Sequence, residues 1–153
     1  MNYNIKQHHD LLKLSKKLQD EGKSLFRQNR IKHIELIKYS AIIENEIIWR
    51  KRRLLKVYIE NFLNGTIDGQ ELCEQIYNIR RKLIKISDRV NFLVSQDRIK
   101  NININKESQK IRGFLTESFC LCDSFDDNYK SEEFYNLIYN GFLNLEKILD
   151  ENI

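Results

Sequence analysis

A chain of 153 residues, 41% apolar and 31% charged, suits one domain with an ordinary core and is too apolar to remain disordered. No run approaches the roughly 20 apolar residues of a membrane span, and Met1 to Asp10 lacks the apolar stretch of a signal peptide. Proline is absent, so long helices are allowed and each break must come from Gly, Asn, Asp, Ser or a lapse in periodicity.

Residues 1–9 are polar and are expected to be loose, with Asp10 capping a first helix. Leu11, Leu14, Leu18 and Leu25 fall on one helical face, and Gly22 interrupts it. The pattern restarts at Ile31, Ile34 and Ile37, followed by Ala41; whether 11–43 is one helix or two stays open. From Glu44 to Leu63 a broad stripe runs through Ile47, Ile48, Leu54, Leu55, Tyr58, Ile59 and Phe62. Trp49 reads as core, and the charged run Arg50 to Arg53 falls mostly off the stripe. Asn64-Gly65 stops the helix, because glycine accepts the left-handed conformation that closes a C-terminus. Thr66 or Asp68 then caps the next one.

Leu72, Ile76, Ile79, Leu83, Ile86, Val90 and Leu93 recur at steps of three and four, the most regular seam in the chain. Residues 95–108 lose it and read as a loop. Ile111, Phe114, Leu115 and Phe119 predict a shorter helix. After a polar turn, Ser131 caps a last helix with Glu132 and Glu133 in its first turn and Phe134, Leu137, Ile138, Phe142, Leu145, Ile148 and Leu149 on its apolar face. No strand pattern and no internal repeat emerges. None of these stripes can be buried alone, so the expected fold is all-α: a single-domain antiparallel bundle of four to five helices over 1–153.

Catalytic signatures are absent. There is no phosphate-binding glycine loop, no HExxH and no Gly-x-Ser-x-Gly, and His8, His9 and His33 have no partners at catalytic spacing. The expectation is a non-enzyme with no cofactor. Cys120-x-Cys122 would supply half a zinc site, but no second Cys/His pair follows. Cys73, Cys120 and Cys122 are an odd set, read as small hydrophobes in a reducing compartment rather than as a disulfide framework. The acidic stretch does not match an EF-hand, so no metal is expected there. Ile, Asn and Lys abound while alanine occurs once, a bias of AT-rich codons that fits an organelle or a low-GC bacterium. Cytoplasm or plastid stroma is the corresponding expectation.

Charge is unevenly laid out. Residues 1–115 carry 24 basic against 13 acidic side chains, a net +11, while residues 116–153 carry 2 against 9, a net −7. Two surfaces follow. One is basic: Arg50, Lys51, Arg52, Arg53 and Lys56 on one helix, with Arg80, Arg81, Lys82 and Lys85 on the next, a candidate contact for RNA or DNA phosphates. The other is acidic: Asp123, Asp126, Asp127, Glu132 and Glu133, a candidate contact for a cationic protein.

The stretch Phe62-Leu63-Asn64-Gly65-Thr66-Ile67, which ends an apolar helix just before the acidic Asp68-capped one, resembles the helix junction of small proteins similar to the colicin D immunity protein. The segment Phe119 to Asp127, leading into Ser131-Glu132-Glu133-Phe134, extends the likeness, which spans about Glu44 to Ile148 apart from the 95–108 loop. Uncharacterised cyanobacterial and plastid reading frames have a similar pattern. The resemblance implies a helical bundle without catalysis that lays carboxylates over a cationic nuclease, and it assigns that role to Asp123, Asp126, Asp127, Glu132 and Glu133. The chain departs from the group in being basic overall, at +4.

Overall fold

The computed structural model describes residues 2–126 and 128–150, and of Asp150 the backbone only. Helix makes up 78% of the described residues, and no strand occurs among them. Among the described residues seven helical segments follow in order: α1 (Ile5–Asp20), α2 (Leu25–Gln28), α3 (Arg30–Leu63), α4 (Gly69–Ser95), α5 (Ser108–Ser124), α6 (Glu132–Leu143) and α7 (Glu146–Asp150). The fold is an all-α bundle.

The long helix α3 organises it. Its 34 residues span about 51 Å, and it packs against each of the other six helices. No proline or glycine interrupts 30–63, so the stretch left undecided by periodicity separates into α1, the single turn α2, and one continuous α3. Gly22 makes the first break with φ +68°. Gly65, at φ +78°, ends α3: its N–H donates to the Phe62 carbonyl, and the Thr66 N–H to that of Asn61. Asp68 caps α4, accepting from the Glu71 N–H at 2.9 Å, and the short turn folds α4 back along α3.

One apolar cluster holds the helices together. It joins Trp49, Leu55 and Ile59 of α3 to Leu72 and Ile76 of α4, Ile111 and Phe114 of α5, Phe134 and Ile138 of α6, and Leu149 of α7, all buried. The α4 seam is buried through Leu83 and half-buried at Ile86, Val90 and Leu93. Residues 96–107 contain no helix, but they are anchored. Glu46, 6% exposed, accepts from the Asn105 backbone N–H at 2.9 Å, so a buried carboxylate of α3 fixes the far end of this segment.

Several sequence expectations are corrected. The first helix starts at Ile5 and is capped by Asn4, not Asp10, so 5–9 are helical rather than loose. His8 is the reason: it is fully buried, its Nδ1 lies 3.0 Å from the Tyr3 hydroxyl, and its ring stacks on Tyr39. The stripe Ile31, Ile34, Ile37 faces solvent; at this level α3 turns Tyr39 inward to meet α1. The closing helix is two, because the chain turns at Asn144–Leu145 between α6 and α7, and Leu137 is exposed.

Candidate functional site

The acidic residues gather where α5 ends, a turn follows and α6 begins. Asp123 lies in the last turn of α5, and Asp126 in the turn, where it accepts from the Tyr129 hydroxyl at 2.8 Å. Glu132 and Glu133 occupy the first turn of α6 behind the Ser131 cap, whose hydroxyl oxygen accepts from the Phe134 N–H at 3.2 Å. All four carboxylates are exposed, and none forms an ion pair with a described cation. Asp127, assigned to the same surface, lies outside the described residues.

The corner is held by packing beneath it. Tyr129 rests against the first residue of α4: a Cβ on Gly69 would lie 2.6 Å from Tyr129 Cβ and 2.7 Å from its carbonyl oxygen. The glycine therefore permits a close approach that a larger residue would block. Phe134 makes tilted or edge contacts with Phe62, Phe125 and Tyr129, with centroids 5.6 Å apart in each case. Tyr135 donates to the Leu63 carbonyl at 3.1 Å, tying α6 to the end of α3. Burial, and after it the bond to Asp126, hold the Tyr129 phenol well above its ordinary range. Burial and then the charges of Asp123 and Asp126 raise Tyr77. Both phenols therefore stay protonated beside the carboxylates, and Tyr129 donates to Asp126.

The basic set is dispersed. Arg52 is 6% exposed: its guanidinium lies over the Trp49 ring at 4.1 Å and donates to the Trp49 carbonyl at 2.9 Å. It seals a fully buried tryptophan and is not a surface cation, so its place in a phosphate-binding run is corrected. Arg50 pairs with the buried Glu46 at 3.4 Å. Arg80 covers the Phe119 ring at 3.7 Å and, near Arg112 and Glu44, lines a cleft between α3, α4 and α5. Arg53 and Arg81 are exposed. Lys51 lies across from Lys82 and Lys85 on a groove between α3 and α4. Of the two runs, Lys51, Lys82 and Lys85 thus share this groove, whereas Arg52, Arg50 and Arg80 are engaged within the fold.

The cysteines are also corrected. Cys73 of α4 and Cys122 of α5 are joined as a disulfide with Cα atoms 5.5 Å apart, both within the core, while Cys120 is free and exposed. Sequence spacing concealed the pairing because its partners lie 49 residues apart. The argument from unpaired cysteines to a reducing compartment loses its basis. No group of three or more His, Cys, Asp or Glu is placed to hold a metal ion among the described residues. No helix among them is long and apolar enough to cross a membrane.

Fold and surface together define an α-helical bundle whose acidic end stands on a packed aromatic base. No protein-family model, no curated protein and no solved structure matches this chain.

Proposed function

We propose that this chain is a non-catalytic, immunity-like interaction protein that takes a cationic protein partner on its acidic end. One observation carries the reading: Asp123, Asp126, Glu132 and Glu133 stand exposed, with no ion-pairing cation among the described residues, on a corner fixed by Gly69, Tyr129 and Phe134. Unneutralised carboxylates on a rigid base attract a cationic partner at long range and have little ordering entropy left to lose on contact. The buried place of Arg52 argues against a continuous phosphate-binding track on α3, which favours this reading over nucleic acid. A nuclease whose active site is lined with Lys and Arg is a partner of suitable chemistry, since the carboxylates occupy it as RNA phosphates would. The reading puts the protein in the compartment that holds such a partner.

The test uses the cationic RNase domain of a colicin D-type toxin as probe. Titration calorimetry should detect a complex, RNA cleavage by that domain should be inhibited, and D123N/D126N/E132Q/E133Q should abolish both. Binding that survives these four substitutions, or steep salt-dependent binding of RNA by the chain itself, would overturn the proposal.

A further inference from the structure

A second surface has a different chemistry. Between α3 and α4 runs an open groove of about 330 Å³ whose floor is Leu54, Ile79, Leu83 and Ile86. Leu54 is 42% exposed although it belongs to the apolar stripe of α3, so the groove leaves a core-type side chain in water. Its rim is Lys51 on one side and Lys82 and Lys85 on the other. No carboxylate lines it, and none of the three ammonium groups makes an ion pair or hydrogen bond among the described residues.

We infer that this groove docks an acidic amphipathic helix of a partner protein. An apolar trough between two helices accepts a third helix through its apolar stripe. The α4 side runs from Ile79 to Ile86, two turns or about 10.5 Å, which matches the reach of anchors at i, i+3, i+4 and i+7 on the incoming helix. The three lysines set the flanks of that helix as Glu or Asp and exclude a basic one. The inference stands independently of the acidic end, which lies at the start of α4 rather than along its middle.

The experiment uses two synthetic helical peptides of about 15 residues, with leucine at those anchor positions and either glutamate or lysine on the flanks. The full chain should bind the glutamate peptide, with amide shifts confined to Leu54 and to Ile79–Ile86 in an NMR titration. K51E/K82E/K85E should weaken it by about tenfold or more and should gain binding of the lysine peptide. All three substitutions are on exposed side chains; a circular dichroism melt checks the fold, and K82E alone serves if the triple variant is unfolded. Equal binding of both peptides, no binding, or shifts elsewhere would overturn the inference. So would two other occupants: phosphatidylserine vesicles that bind and displace the peptide, or self-association that the triple variant abolishes.

Discussion

Gly69→Ala tests how the acidic end is built. The added Cβ would stand 2.6 Å from Tyr129 Cβ and 2.7 Å from its carbonyl oxygen, with Phe134 Cε1 at 3.2 Å. Ordinary contacts of this kind are about 3.5–4.0 Å, so the turn must retreat by about 1 Å. One of the opposing atoms is backbone, and no rotamer change relieves it. Overpacking of this sort costs about 1–3 kcal/mol, more than the helix-propensity gain of alanine at a first helical position. At this chain length the melting temperature should fall by roughly 2–12 °C. Gly113→Ala is the control, since nothing lies within 4 Å of its Cβ and it sits exposed inside α5; there the same substitution should stabilise by about 0.5–1 kcal/mol. Thermal melts by circular dichroism read both. A neutral Gly69→Ala, or equal losses for the two variants, would refute the packing of the turn on α4.

Three further outcomes follow. Burial lowers the His8 pKa to about 4, so its ring stays neutral when folded while the unfolded chain takes up a proton near pH 6.5. This contribution is intact above about pH 6.5 and is lost as pH falls toward 4, on the order of 3 kcal/mol, and denaturant midpoints between pH 7.5 and 4.5 should show a slope that His8→Phe reduces. Glu46→Ala strips the acceptor from the Asn105 N–H and should cost about 1–3 kcal/mol, with faster hydrogen exchange over 100–107 read by mass spectrometry. Cys73→Ser with Cys122→Ser opens a closure of 49 residues and, by chain entropy, should cost about 4 kcal/mol in a urea titration, whereas Cys120→Ser should leave the midpoint unchanged.

What the sequence disclosed depended on the range of the forces involved. Local signals read correctly: the Gly65 stop, the Asp68 and Ser131 caps and the α4 seam are each set by residues within a turn or two. Burial that depends on tertiary neighbours did not. Polar His8 is enclosed by Tyr3 and Tyr39, whereas Ile31 is 80% exposed, because α1 meets α3 on the face that carries Tyr39. Charge alone places Arg52 at the surface, yet its position three residues after Trp49 sets it over the indole, a contact that i, i+3 spacing on a helix does signal. For the candidate site, the carboxylates were legible as a cluster, but their aromatic base was not. Tyr129 meets Gly69 across 60 positions of sequence, and only the folded chain shows why that glycine is needed. The α3–α4 groove was equally hidden: Lys51 and Lys85 belong to separate basic runs until α4 folds back.

The reading of the acidic end is tested most directly by an NMR footprint of the cationic RNase domain on the ¹⁵N-labelled chain at physiological salt. Shifts and line broadening should concentrate on 123–134 and fade as salt is raised, with the amides of α3 around Arg50–Arg53 unchanged. A footprint centred on Arg80, Arg81 and the α3 basic run, or none at saturating partner, would contradict it.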